Sequence, residues 1–189
     1  MASTAQELTL AEFLALPEEK PALEYEYGRV TQKMSPQGHH AVLQGILFSL
    51  LDQYGRRERR ALAFTELRTT YAGFSRVPDV AIYRWERVPR DARGRVLNAA
   101  FSEPPDIAIE IVSPGQSVNA QLSRCLEYVA AGVVLAVLVD PDDESVVVVR
   151  ADRTVHAARG QTRIDLDAVL PGFELTAQQL SATLILPPP

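Results

Sequence analysis

The chain has 189 residues, enough for one domain with a sizeable core, and its 47% hydrophobic and 23% charged content is that of an ordinary globular protein. A net charge of −5 gives no general attraction for nucleic acid, no apolar run is long enough to span a membrane, and the first residues lack the basic start and apolar core of a secretory signal. The single cysteine, Cys125, excludes an internal disulfide and a cysteine pair for zinc, and points to a reducing, cytoplasmic setting.

Thr9 to Leu16 reads as a short helix, with Thr9 as its N-cap and Pro17 ending it. Leu23 to Met34 reads as a hairpin bent at Gly28. A strong helix follows, with Leu43, Leu47, Leu50, Leu51 and Tyr54 at helical spacing, His39 and His40 at its start and Gly55 as its stop. Ala61 to Tyr71 and Val77 to Tyr83 read as two strands joined by a turn at Ala72-Gly73. An Arg-rich stretch from Trp85 to Ser102 has the length of a functional or mobile loop.

Pro105 to Val112 is the next strand, in which Ile107, Ile109 and Ile111 alternate with Asp106, Ala108 and Glu110. Gln116 to Ala131 is amphipathic and helical, and Gly132 stops it. Val133 to Val139 is apolar throughout, as suits a central strand covered on both faces. Asp140 to Asp143 makes a turn, Val146–Arg150 and Thr154–Ala157 a hairpin, and short elements close the chain around Leu170 to Leu180. The expectation is an α/β fold of the α+β type with a mixed sheet, a single domain over residues 1–189 with its core at about 38–140. The core runs helix, three antiparallel strands, helix, strand, and the second helix implies a right-handed parallel crossover.

Two carboxylates stand out. Asp79 follows Val77-Pro78 at a strand start, and Glu110 lies near the end of an otherwise apolar strand. A carboxylate in that position is costly unless it is paired or holds a metal. Two on neighbouring strands suit a hard cation such as Mg²⁺, which takes oxygen ligands and needs one or two protein carboxylates. The same spacing also occurs for purely structural reasons, and at this point both readings stand.

From Leu23 to about Gly172 the chain resembles the Uma-two restriction endonuclease family of the PD-(D/E)XK nuclease superfamily. The resemblance is carried by Glu24-Tyr25-Glu26-Tyr27-Gly28, Met34-Ser35-Pro36, His40 before a helix, Val77-Pro78-Asp79-Val80, Ile109-Glu110-Ile111-Val112-Ser113-Pro114, Tyr128 to Val133, and Val139-Asp140-Pro141. It implies a restriction-endonuclease-like core and an Mg²⁺- or Mn²⁺-dependent nuclease acting on DNA. Asp79 and Glu110 match the family's metal carboxylates, and the backbone carbonyl of Ile111 a further ligand. Glu24 and His40 match family residues near the site.

One departure bears on catalysis. The superfamily lysine two residues after the glutamate is Val112 here, and the lysine that this family carries on the next helix is Arg124. Arg124 shares a helix face with Tyr128, one turn on. An arginine there can clamp a phosphate but cannot act as a general base at neutral pH; its structural alternative is a partner for Glu127 or Glu110. Only two lysines occur, and of these Lys33, beside Met34-Ser35-Pro36, is close enough to enter the site. Arg87 and Arg90 of the Arg-rich stretch are candidate nucleic-acid contacts. Cys125, beside Arg124, reads as a small packing residue before a reactive thiol.

Three functions remain open on the sequence. The first is a metal-dependent endonuclease, as a homodimer when both strands are cut. The second is a nucleic-acid-binding module that has lost the chemistry. The third is a structural protein on the same fold.

Overall fold

The computed structural model describes residues 8–186. Chain order is α1 (Leu10–Leu14), β1 (Leu23–Glu26), β2 (Arg29–Gln32), α2 (Gly38–Arg57), β3 (Ala61–Thr65), β4 (Thr69–Tyr71), β5 (Phe74–Arg76), β6 (Val80–Arg84), β7 (Ile107–Ile111), α3 (Val118–Ala130), β8 (Leu135–Asp140), β9 (Ser145–Arg150), β10 (Val155–Arg159) and α4 (Ala177–Ala182). The strands form a six-stranded sheet, β10-β9-β8-β7-β6-β3, and a small sheet, β2-β1-β5-β4. Within the large sheet β7 and β8, joined through α3, pair in parallel and the other neighbours antiparallel, so the sheet is mixed. Among the described residues, no helix is long and apolar enough to cross a membrane.

Strand alternation sorts the core into two layers. Ile107, Ile109, Ile111, Leu135, Val137 and Val139 pack toward Leu43, Leu47 and Leu51 of α2. Ala108, Ala136 and Leu138 pack toward Cys125, Tyr128 and Val129 of α3. Glu110 alternates with Ile109 and Ile111, and so belongs to the α3 face. The short side chains of Ala108 and Ala136 make room there for the Tyr128 ring.

Both ends of α3 are specified locally. Ser117 Oγ accepts from the Ala120 N–H at the start. At the end Gly132 takes φ +105°, and the Val133 N–H returns to the Tyr128 carbonyl. This fixes the turn of α3 that carries Arg124 and Tyr128.

Several expectations need correction. Gly55 does not stop α2, which continues to Arg57 and ends with Arg59 in the left-handed region, the Arg60 N–H bonding to the Gly55 carbonyl. Gly55 is instead where β3 crosses closest: a Cβ there would lie 2.5 Å from the Ala61 carbonyl oxygen. Ala61 to Tyr71 is not one strand. The chain leaves the large sheet after Thr65, turns through Glu66 at φ +49°, and enters the small sheet as β4. The Ala72-Gly73 turn therefore joins β4 to β5, while β3 pairs with β6 directly.

The Arg-rich stretch is also less free than its length suggested. A 3-10 turn at Trp85–Arg87 opens it, and buried Phe101 closes it by packing edge-on against Phe64 and Tyr83. Asp106, fully buried, accepts from Arg84 Nη1 at 2.9 Å and pairs with Arg87 Nη1 at 2.8 Å.

Candidate active site

The register of the large sheet places the two carboxylates side by side. Val80 pairs with Ile109, so one step further the antiparallel register sets Asp79 opposite Glu110. Asp79 sits in the bend before β6. Its Oδ2 accepts the Ile111 N–H at 2.8 Å and faces His40 Nε2 at 3.0 Å. Its Oδ1 accepts from Lys33 Nζ at 2.7 Å, and its main-chain carbonyl from Gln44 Nε2 at 3.0 Å. With its proton on Nε2 the His40 ring donates to Asp79, and its buried Nδ1 has no partner among the described residues.

Glu110 is held from α3. Its Oε1 accepts from Arg124 Nε at 2.7 Å and from the Tyr128 hydroxyl at 2.6 Å. The small sheet supplies the opposite wall. Glu24 on β1 takes Arg124 through both carboxylate oxygens, at 2.8 Å from Nη1 and 2.6 Å from Nη2. Glu24 Oε1 also accepts the Val77 N–H at 2.8 Å, which anchors the approach to Asp79. Lys33, just past β2, adds a second bond to the Val77 carbonyl at 2.7 Å.

Of these, Glu24, Lys33, His40, Asp79, Glu110, Ile111 and Arg124 line a cleft of about 180 Å³, together with Thr31, Gln32, Gln116 and Gln121. Burial alone would raise the Asp79 carboxyl, but the His40 hydrogen bond and the Lys33 charge hold it at about 2. Glu24 is likewise lowered despite its burial, chiefly by Arg124. Glu110 is raised: burial dominates, the Arg124 charge opposes it, and the negative charges of Asp79 and Glu24 add to it. Burial raises the Tyr128 phenol well above its ordinary range, so it stays protonated and donates to Glu110. Burial disfavours the Lys33 ammonium, yet Asp79 and Glu110 raise its pKa overall.

Asp79, Glu110, Ile111, Arg124, Glu24 and His40 thus converge on one cleft. Arg87 and Arg90 do not line it. Arg87 is committed to Asp106 and to the Pro104 carbonyl, and Arg90 stacks 5.4 Å from the Trp85 ring centroid. Lys33 joins the site fully, though no family motif position pointed to it. Gln44 and the Tyr128 hydroxyl were not singled out from the sequence. Cys125 is buried and its thiol is pushed up to about 12 by burial, so it packs and does not react.

The donors suit a hard cation. Three carboxylates face two permanent cations, Lys33 and Arg124, and Glu110 is the one whose negative charge is least compensated. Among the described residues no three His, Cys, Asp or Glu side chains are grouped as ligands of one metal ion. A cation here would therefore rest on Asp79 and Glu110, with its other positions left to backbone oxygen, water and phosphate, a distribution that suits Mg²⁺.

The model of the Uma2 family, described as "Putative restriction endonuclease", matches residues 10–178. The chain belongs to the Uma2 family. Its fold is similar to that in the crystal structure of a "putative nuclease belonging to DUF820" from Anabaena variabilis ATCC 29413. The two share 34% identity over 94% of this chain and 99% of that one, with a TM-score of 0.89. This Uma2 protein also bears a slight likeness to DrdV, from the cryoEM structure of a DrdV–DNA complex, at 13% identity, 77% of this chain, 12% of that one and a TM-score of 0.40. That likeness is too small to bear on fold or function. No curated protein matches the chain.

Proposed function

We propose that this protein is a metal-dependent endonuclease that hydrolyses phosphodiester bonds in DNA. The observation that carries the proposal is the convergence of Asp79 and Glu110 on one polar cleft, with Lys33 and Arg124 as the cations beside them. The family's description as a restriction endonuclease supports DNA as the substrate. Asp79 and Glu110 would hold Mg²⁺ or Mn²⁺, with the Ile111 carbonyl as a further ligand. Such an ion supplies Lewis-acid polarisation of the phosphodiester and a water of lowered pKa.

The chain's own residues divide the remaining work. His40 and the Ile111 N–H fix one oxygen of Asp79 and leave the other to Lys33. Tyr128 and Arg124 fix one oxygen of Glu110, and no protein donor takes the other among the described residues. Four of the five N–H groups of Arg124 are used by Glu110, Glu24 and Tyr128. Arg124 is therefore a positioning residue, with at most one donor left for a phosphate.

The test is cleavage of plasmid DNA in Mg²⁺ and in Mn²⁺ by the wild type, Asp79→Asn and Glu110→Gln. Glu110→Gln keeps shape and the hydrogen bonds from Arg124 and Tyr128, and Asp79→Asn keeps shape at the loss of one acceptor, whereas alanine at 79 would strand Lys33, His40 and the Ile111 N–H together. Each amide should lower the rate by roughly 10²–10³-fold or more, as loss of a transition-state charge partner does. Unimpaired cleavage by Asp79→Asn sinks the assignment. Salt-dependent DNA binding with no cleavage by the wild type in either metal would favour a binding module instead.

A further inference from the structure

The proposal below rests on the metal-dependent reading and concerns how the site takes its ion. Lys33 Nζ lies 2.7 Å from Asp79 Oδ1 and 2.7 Å from the Val77 carbonyl oxygen. A carboxylate oxygen and a backbone carbonyl oxygen are the donors a hard cation takes. The other oxygen of Asp79 is already committed to the Ile111 N–H and His40. A divalent ion bound through Asp79 Oδ1 and the Lys33 ammonium therefore compete for one oxygen. Two like charges do not share it at that distance.

Lys33 is also built to leave. It follows the end of β2, a strand whose residues are mostly exposed, and its long stem carries a point charge with free rotation. It lines the metal cleft and, with Met34, a neighbouring hollow of about 410 Å³ that includes Glu66 and Arg68. The released ammonium has space to move without unfolding the small sheet. Arg124 has no such freedom, because Glu24 and Glu110 clamp it from two sides.

We propose that Lys33 is the resident counter-ion of the metal site, that a divalent cation displaces it from Asp79, and that the displaced ammonium is the cation which meets the scissile phosphate. Metal entry and phosphate contact are then coupled through one side chain. The ion binds the free protein weakly, and binds more tightly when a phosphate is present to receive the ammonium.

The chain has only two lysines, which makes the displacement measurable. Exposed Lys20 serves as the internal reference for Lys33, whose side chain is 15% exposed. The full-length protein is treated briefly with an amine-acetylating reagent, with and without Mn²⁺ and without DNA, and each lysine is quantified by mass spectrometry. Mn²⁺ should raise the modification of Lys33 on the order of tenfold relative to Lys20. In parallel, calorimetric titration with Mn²⁺ alone should find Lys33→Met binding tighter than the wild type by on the order of tenfold to hundredfold, although the same variant cleaves DNA more slowly. Equal Mn²⁺ affinity in the two proteins, or Mn²⁺ binding that leaves Lys33 as protected as before, overturns the Lys33 proposal and leaves the metal reading standing. Failure of both proteins to bind Mn²⁺ overturns both. Should Lys33→Met not fold, the acetylation of the wild type decides alone.

Discussion

Arg124→Met separates a positioning role from a direct phosphate contact. The guanidinium sits between two buried carboxylates, 2.7 Å from Glu110 and as close as 2.6 Å to Glu24, with the Tyr128 hydroxyl as a third partner. Removing it strands both anions in a wall that water does not reach well. Breaking a buried ion pair from one side costs about 3–5 kcal/mol. That is a large share of the roughly 5–15 kcal/mol that holds a domain together. For a chain of this size it corresponds to a fall in Tm of about 6–20 °C. The assay is urea denaturation at pH 7 without metal, alongside a thermal melt. Glu24→Gln in the same chain removes one stranded charge, so the double variant should recover part of the loss. Glu24 is held below its ordinary value of 4.5 mainly by Arg124 acting against burial. Its contribution is thus present above pH 4.5 and is lost as the pH falls through its lower folded value. The gap between wild type and Arg124→Met should accordingly narrow in acid. A variant that loses less than about 1 kcal/mol, the range of exposed pairs, while losing DNA cleavage, would refute the positioning argument and return Arg124 to the phosphate.

Glu110→Gln should stabilise the metal-free protein at neutral pH, because the Glu110 carboxyl is raised by burial above its unfolded value of 4.5. A raised carboxyl favours folding below that unfolded value and loses the benefit as pH rises through the folded one, so the advantage of the amide should shrink toward pH 4.5 in denaturation at stepped pH. Gly55→Ala should destabilise by about 1–3 kcal/mol in spite of alanine's better helix propensity, because the new Cβ meets a backbone oxygen of β3. A neutral or raised melting temperature would show that α2 and β3 can separate freely. Cys125 should resist a thiol reagent in the native protein and react once urea unfolds it, since the thiol is buried and pushed up to about 12. Fast labelling under native conditions would count against that packing.

The helices α2 and α3 and the strand β7 were legible because each carries its own periodicity, and β8 because it is an unbroken apolar run. The same alternation put Glu110 on a face apart from Ile109 and Ile111. The break between β3 and β4 was not legible, because Ala61 to Tyr71 keeps an extended, half-apolar pattern across it. The break is made by Glu66 in a left-handed conformation, with its N–H 3.3 Å from the Asp79 carbonyl, a contact set by tertiary structure. Gly55 misled for a related reason: a glycine near a helix end looks like a cap, whereas here it answers a neighbour's backbone. Within the site, Asp79 and Glu110 were found through strand position. Glu24, His40 and Arg124 were named through the family resemblance and Lys33 through its neighbours, but the pairings of Lys33 with Asp79 and of Arg124 with Glu24 were not legible, since 46 and 100 residues separate the partners. Only the folding of the small sheet across the large one brings them together.

On the proposed nuclease reading, the valine at 112, where the resemblance implies a lysine, has a physical account. Val112 is buried in the apolar layer beneath α3, so its position supplies no charge to the cleft. On that reading the positive charge comes from elsewhere, and the cleft holds two cations of different chemistry, Lys33 and Arg124. A guanidinium is a planar fork that cannot shed its proton, and it suits the fixed bridging of Glu24 and Glu110. An ammonium is a compact charge on a flexible stem, which suits movement between a carboxylate and a phosphate. The observed contacts follow that division: Arg124 is clamped by carboxylates through three of its nitrogens, and Lys33 is held by two oxygens beside open space. Exchanging the two should therefore fail in different ways. Arg124→Lys leaves Glu110 or Glu24 without its partner and lowers stability, whereas Lys33→Arg keeps the charge but sets a wider group against Asp79 and weakens Mn²⁺ binding, with stability little changed. Equal losses of stability in the two variants would show that both cations serve only to hold the cleft together.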